Sequence, residues 1–283
     1  MYTIVCRNPR GILVSRQRDD AAAQPRKTLI GRAGGLGIDP MGKQGSGPVM
    51  KRQIVSAACG LLLCLSGPLL AQSRPVVVVE LYTSQGCSSC PPADANFADL
   101  TRDPAVMPLA LHVDYWDYIG WADSFANPKF TERQKAYAHA EGSKTIYTPQ
   151  FIVGGLGRVV GNEPGEVAAH IRKHLSVGSP VQLRLERSGD QIVIFAQADP
   201  PLGRPVRVQL VRFTPSATVA IERGENAGKT VTYRNIVTAW TSLGTWDGQG
   251  EMTLRAAIVG TDRVVVIVQN EGPGQILAAA VLD

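Results

Sequence analysis

The chain has 283 residues, of which 44% are hydrophobic and 19% charged, and its formal net charge is +5. This composition is typical of a globular protein with one large or two modest domains. The positive charge lies in residues 1–71, which hold ten basic and three acidic residues, whereas the rest holds nineteen basic and twenty-one acidic ones. A nucleic-acid partner is therefore not expected, because no basic surface is left in residues 72–283.

The N-terminal residues predict export. Residues 1–49 lack hydrophobic periodicity and are rich in Arg, Gly and Gln, which predicts a disordered leader or an extension in front of the true start. Residues 50–71 predict a secretory signal peptide: a positive Met50-Lys51-Arg52 precedes an apolar stretch, and cleavage is expected before Gln72. The protein is therefore expected in the periplasm or outside the cell, with no stable membrane insertion after cleavage. The alternative is an uncleaved membrane anchor, for which the apolar stretch is short.

The segment Val76–Pro92 predicts a buried strand that ends at two cysteines. Its four valines and Glu80-Leu81-Tyr82 form a run without polar alternation, as in a strand covered on both faces. A helix is predicted to begin after the cysteines, and the N-terminus of a helix stabilises a thiolate. Of the five cysteines, only Cys87 and Cys90 remain after the predicted cleavage. Their spacing leaves a redox dithiol, a metal site or a small structural disulfide.

Strands and helices continue to residue 177. The pattern predicts, in chain order, a helix through Asp94–Leu100, a strand at Pro108–Val113, an aromatic loop at His112–Trp121, a helix at Thr131–Glu141, strands at Gln150–Val153 and Arg158–Val160, and a helix at Pro164–Leu175. The order strand, helix, strand, helix, strand, strand, helix predicts an α/β domain over residues 75–177.

The second half has a different pattern. Residues 180–283 contain short alternating apolar runs separated by turn signals, and no helix-length pattern. This predicts an all-β antiparallel sandwich-like domain, joined to the first by the linker Val177–Pro180. The polar segment Arg223–Lys229 is predicted to be a solvated hairpin loop rather than a ligand loop.

Three motifs of the first half resemble a known family. They are Leu81–Asp94, His112–Asp117 and Tyr147–Phe151. They resemble the bacterial secreted family known as domain of unknown function 1223, and residues 75–177 resemble the thioredoxin-like superfamily. The resemblance implies a thioredoxin-like α/β domain in which Cys87 is the attacking thiolate and Cys90 the resolving thiol. It also implies that Glu80 is the buried acid that assists proton transfer.

Thr148-Pro149 is the expected substrate-binding element. In the fold that the chain resembles, this proline is cis, and the residue before it lies against the dithiol, where an extended substrate can pair. The resemblance therefore implies a cis Pro149 in contact with Cys87. Trp116, in the aromatic loop, is expected either to pack in the interior or to line the substrate groove.

These features favour a thiol-disulfide oxidoreductase that needs no cofactor. Its expected partner is a protein thiol or disulfide, or a small-molecule thiol. Cys87 is expected to lie nearer the solvent and to react first with alkylating reagents. One alternative is a copper-binding or assembly module that uses Cys87, Cys90 and His112, because thiolates and imidazole suit soft copper, although a histidine on a strand is more often a core or rim residue than a ligand. The other alternative is a non-catalytic protein with a structural disulfide.

Overall fold

The computed structural model describes residues 2–7, 13–18 and 76–282. Its strands are β1 (Tyr2–Arg7), β2 (Leu13–Arg18), β3 (Val77–Thr83), β4 (Val106–His112), β5 (Thr145–Thr148), β6 (Gln150–Val153), β7 (Gly157–Val160), β8 (Val181–Ser188), β9 (Gln191–Ala198), β10 (Val206–Ala220), β11 (Thr230–Trp246), β12 (Glu251–Ala257), β13 (Arg263–Asn270) and β14 (Ile276–Leu282). Its helices are α1 (Pro91–Leu100), α2 (Pro128–Ala140) and α3 (Pro164–Val177), and a short 3-10 helix spans Asp117–Ile119.

One mixed eight-stranded sheet joins the two halves of the chain. Its strand order is β14-β13-β10-β11-β4-β3-β6-β7. The halves meet where β11 pairs in parallel with β4, at Ile236 and Ala110. A smaller sheet, in the order β12-β9-β8, packs against β10, β13 and β14 through a shared hydrophobic core.

The predicted fold class, an α/β thioredoxin-like domain followed by a separate all-β sandwich-like domain, is wrong. The described chain is mostly β structure, and its large sheet does not stop at the predicted linker, Val177–Pro180. The physical reason is the edge of β4: it would lie open in the first half alone, and β11 pairs with it at Ala110. Whether residues 75–177 and 180–283 fold independently stays a prediction.

Both faces of β3 are covered. Alternate residues of a strand point to opposite faces; Val77, Val79 and Leu81 pack with α1 and α3, whereas Val78 and Tyr82 pack with α2. Every residue of β3 is buried, as the apolar run predicts.

Helix α2 begins earlier than predicted. Its N-cap is Asn127, whose side chain accepts a hydrogen bond from the Lys129 N–H at 3.0 Å. Pro128 occupies the first helical position, where its missing N–H removes no helical hydrogen bond. The Asn-Pro pair therefore begins the helix three residues before the predicted start at Thr131.

Two strands lie within the predicted leader. β1 and β2 pair antiparallel, and β1 also pairs in parallel with β5, where Cys6 stands in register with Thr148. The rest of the predicted leader and the predicted signal peptide, residues 50–71, lie outside the described residues. Among the helices that are described, none combines the length and the apolarity that crossing a membrane requires.

Candidate functional site

The predicted dithiol is a disulfide at the beginning of α1. Cys87 and Cys90 are bonded, their Cα atoms are 5.4 Å apart, and both residues have 0% exposed surface. The Cys87 N–H donates to the Ser84 carbonyl at 3.1 Å, and the Cys90 N–H donates to the Cys87 carbonyl at 3.1 Å. Cys90 is the N-cap of α1, so the disulfide lies at the positive end of the helix dipole. The solvent access that was expected for Cys87 is absent in this disulfide form.

Ser89 lies beside the first sulfur. Its hydroxyl oxygen is 3.3 Å from the Cys87 sulfur. A hydroxyl that donates to a thiolate favours the charged form and lowers the pKa of the thiol. The attacking role that the resemblance assigns to Cys87 stays a prediction, and this contact suits it.

Trp116 connects residues 84–90, here called the cysteine loop, to the predicted substrate-binding element Thr148-Pro149. Its indole N–H donates to the Thr148 hydroxyl at 2.7 Å. Trp116 also packs closely against Gly86 of this loop: a Cβ added at Gly86 would lie 3.4 Å from the Cβ and from the carbonyl oxygen of Trp116. The Thr148–Pro149 peptide is cis, which confirms that part of the prediction. Contact between Pro149 and Cys87, and substrate binding by Thr148, Pro149 and Trp116, stay predictions.

The segment predicted as a solvated loop packs on the cysteine loop. Residues 221–229, here called the hairpin tip, join β10 to β11, and Asn226 within it is only 1% exposed. The Asn226 side-chain amide donates to the carbonyls of Gln85 and Cys87, both at 2.9 Å. The solvated-loop prediction is therefore wrong at Asn226, because its side chain supplies donors to two carbonyls that flank Gly86.

A buried polar cluster lies between α1 and the C-terminal ends of β3 and β4. The Thr83 hydroxyl donates to Oδ1 of Asp94 at 2.8 Å. His112 Nδ1 is 2.7 Å from Oδ2 of Asp123, and both of these side chains are fully buried. Oδ2 of Asp94 and Nε2 of His112 are buried without a hydrogen-bond partner among the described residues. The cluster therefore keeps one acceptor and one imidazole nitrogen unengaged.

Burial raises the pKa of Asp94 to about 7. His112 and the Thr83 hydrogen bond act to lower this pKa, and the Asp123 charge acts to raise it. Tyr233, from β11, closes the cluster: its ring stands edge-on to His112 at a centroid distance of 4.9 Å, and burial also raises its pKa. Asp94 consequently gains and loses a proton near neutral pH inside the protein.

Glu80, the predicted proton-transfer acid, lies on the other face of β3. Its carboxylate forms a two-point ion pair with Arg133, at 2.8 and 2.9 Å. It also accepts hydrogen bonds from the Tyr82 hydroxyl at 2.9 Å and the Tyr137 hydroxyl at 2.7 Å. Both carboxylate oxygens of Glu80 are thus engaged by side chains that stabilise its charge.

Sequence reasoning missed Asp94, Asp123 and Asn226. Asp94 did carry a signal, because it is an acid one helical turn after Cys90 and adjoins the buried Ala93 in the same helix. The other two come from distant loops, and no local pattern indicates that they reach the cysteine loop or His112.

The copper alternative lacks a ligand group in this structure. Within residues 2–7, 13–18 and 76–282, no three His, Cys, Asp or Glu side chains are grouped closely enough to hold a metal ion. Cys87 and Cys90 are bonded to each other, and His112 Nδ1 faces Asp123. These three predicted ligands are therefore not arranged as a metal site.

Comparison with known proteins agrees with the resemblance to the family known as domain of unknown function 1223. The chain is similar to the crystal structure of protein AGR_C_4864 from Agrobacterium tumefaciens, with 33% identity, a TM-score of 0.65, and coverage of 74% of this chain and 95% of that one. It is also similar in fold to HBP35 of Porphyromonas gingivalis, with 16% identity, a TM-score of 0.53, and coverage of 74% and 75% of the two chains. None of the curated proteins compared is significantly similar. The sequence profile described as "Protein of unknown function (DUF1223)" matches residues 78–269, and the chain belongs to this family.

Proposed function

We propose that this protein is an exported thiol-disulfide oxidoreductase whose reacting groups are Cys87 and Cys90. The observation that carries the proposal is the position of the disulfide, with a sequence separation of 3 and Cys90 as the N-cap of α1. A disulfide that closes so small a loop removes little conformational entropy from the unfolded chain and therefore stabilises the fold only weakly. Stabilisation alone is a poor explanation for this disulfide. A helix N-terminus, in contrast, stabilises the thiolate that disulfide exchange requires.

The proposed reaction is a two-step exchange with a partner dithiol. A partner thiolate attacks the Cys87 sulfur, the Cys87–Cys90 bond breaks, and Cys90 leaves with the electron pair and takes up a proton. The partner's second thiolate then attacks the partner sulfur of the mixed disulfide, and Cys87 leaves as a thiolate. The partner is oxidised by two electrons and this protein is reduced; the reverse sequence reduces a partner disulfide.

Asp94 is the proposed proton carrier for Cys90. It follows Cys90 by one helical turn, and its backbone N–H donates to the Cys90 carbonyl at 3.0 Å. Because burial raises its pKa to about 7, its carboxyl group can hold or release a proton at neutral pH. Glu80 suits this role less well, since Arg133 and the hydroxyl groups of Tyr82 and Tyr137 already engage both of its carboxylate oxygens.

The proposed setting is the periplasm or the space outside the cell. Its support is the predicted signal peptide at residues 50–71 together with a disulfide, the state of paired cysteines that oxidising compartments maintain. The proposed partners are proteins or small molecules that carry a thiol or a disulfide.

A second candidate is a non-catalytic protein with a structural disulfide. The observation that favours it is burial, because neither Cys87 nor Cys90 has exposed surface. A partner thiolate can reach the Cys87 sulfur only if some of the residues that bury the disulfide move away. The two candidates therefore differ in whether the disulfide exchanges with thiols in the folded protein.

The test uses the full chain with Cys6, Cys59 and Cys64 replaced by Ser, so that only the CxxC pair can react. The reduction potential is measured in glutathione buffers, and the reduction of insulin by dithiothreitol is followed with and without the protein. In this background, Cys90→Ser and Cys87→Ser form a matched pair, each retaining one thiol.

An oxidoreductase is expected to have a potential above about −300 mV and to accelerate insulin reduction. Cys90→Ser should accumulate a mixed disulfide with glutathione at Cys87, and Cys87→Ser should accumulate much less. A potential well below about −300 mV, with no acceleration and no mixed disulfide, would establish the structural candidate instead.

A further inference from the structure

We infer that Asn226 is a positioning residue for the Cys87–Cys90 pair, supplied by the second half of the chain. The inference rests on the proposed function and names the part of the protein that controls the reactivity of the same disulfide. The hairpin tip, through Asn226, holds the cysteine loop in the shape in which the two sulfurs bond.

The contact is specific in its hydrogen bonding. An Asn side chain has one NH2 group with two donors, and Asn226 gives them to the carbonyls of Gln85 and Cys87. Lys229 donates to Oδ1 of Asn226 at 2.7 Å, which turns the NH2 group towards the cysteine loop. The three side-chain contacts together leave one orientation for the amide.

The hairpin tip that carries Asn226 is itself well defined. Within it, the Gly228 N–H donates to the Ile221 carbonyl at 2.7 Å, and the Ile221 N–H donates to the Lys229 carbonyl at 2.9 Å. The tip also rests on the aromatic loop, since a Cβ at Gly224 would lie 3.1 Å from the Trp121 Cβ. Gly224 has a φ of +79°, so a side chain there would be strained as well as crowded.

This arrangement has a consequence for redox equilibrium. The Cys87 carbonyl accepts from the Cys90 N–H as well as from Asn226, so the amide fixes the turn that connects the two cysteines. A fixed turn raises the effective concentration of one thiol at the other and favours ring closure. Asn226 therefore shifts the equilibrium towards the disulfide. It is also expected to slow attack by an external thiol, because the amide holds the Cys87 backbone of a disulfide that has no exposed surface.

The experiment compares Asn226→Ala with Asn235→Ala in the full chain that retains only the CxxC cysteines. Asn235 lies on the same hairpin and donates to the Pro108 carbonyl at 2.9 Å, so its loss perturbs β11 away from the cysteine loop. The potential in glutathione buffers and the rate of reduction by dithiothreitol are measured for each variant. Neither readout depends on a natural partner, so failure of the inference is distinguishable from failure of the proposed function.

Asn226→Ala is expected to reduce the equilibrium constant for ring closure about tenfold, which makes the potential about 30 mV less negative, and to accelerate reduction about tenfold. Asn235→Ala should change both values less than twofold. Equal changes in the two variants, or no change in Asn226→Ala, would overturn the inference. If Asn226→Ala does not fold, Lys229→Met decides: a shift in the same direction supports the inference, and an unchanged potential overturns it.

Discussion

Two buried polar clusters lie on opposite faces of β3, and they differ in how completely they are bonded. On the α2 face, the Glu80 carboxylate is held by Arg133, Tyr82 and Tyr137. On the α1 face, Asp94 and His112 each retain a buried atom without a partner among the described residues. A fully bonded charge stabilises one fixed arrangement, whereas an unengaged carboxyl oxygen is free to exchange a proton. The first cluster is therefore expected to stabilise the scaffold, and the second is the one that the proposed function uses for proton transfer.

The largest expected effect comes from breaking the bonded cluster. Arg133→Met leaves the Glu80 charge buried without its cation, which is expected to lower the free energy of unfolding by about 3–5 kcal/mol. Urea denaturation measures this change. Arg102→Met removes an exposed ion pair with Asp99 and is the control, with an expected change below about 1 kcal/mol. A comparably small change in Arg133→Met would show that the buried pair is not part of the scaffold.

A smaller effect is expected from neutralising the other cluster with Asp94→Asn. The pKa of Asp94 is raised from 3.8 to about 7, so between these values the native state binds a proton that the unfolded state has lost. Stability contributed by this group is present below pH 4 and falls as the pH rises to about 7, at up to about 1.4 kcal/mol per pH unit.

Asp94→Asn stays neutral and should remove that pH dependence from the free energy of unfolding. Urea denaturation between pH 4.5 and 6.5 measures it, and Asp99→Asn, an exposed position on the same helix, is the control. A pH dependence in Asp94→Asn as steep as that of the parent would contradict the assignment of the proton to Asp94.

The smallest effect is a shift in the pKa of Asp94 itself. Thr83→Val removes the hydrogen bond that favours the Asp94 carboxylate, so the pKa should rise by about 1 unit or less. Asp123→Asn removes a neighbouring negative charge and should shift the same pKa downwards. NMR titration of the Asp94 carboxyl carbon distinguishes the two directions. Shifts of the same sign in both variants would contradict this account of the cluster.

Local features were predictable from the sequence, and long-range ones were not. The strand that precedes the cysteines, the helix after Cys90 and the cis Pro149 depend on short motifs, and all three are present. The pairing of β11 with β4 depends on which strand meets an open edge, and periodicity reports buried faces rather than partners. For the same reason, the polar composition of the hairpin tip did not indicate that Asn226 is buried against the cysteine loop.

The continuous sheet has a consequence for how this protein can be inherited. A module that recombines between genes must close its own edges, because a strand with an open edge recruits other chains. The half that carries the cysteines pairs with β11 at the edge of β4, and the family profile spans residues 78–269, from β3 into β13. The two halves are therefore expected to be inherited as one unit. Recombination that replaces the second half alone is not expected to give a stable protein.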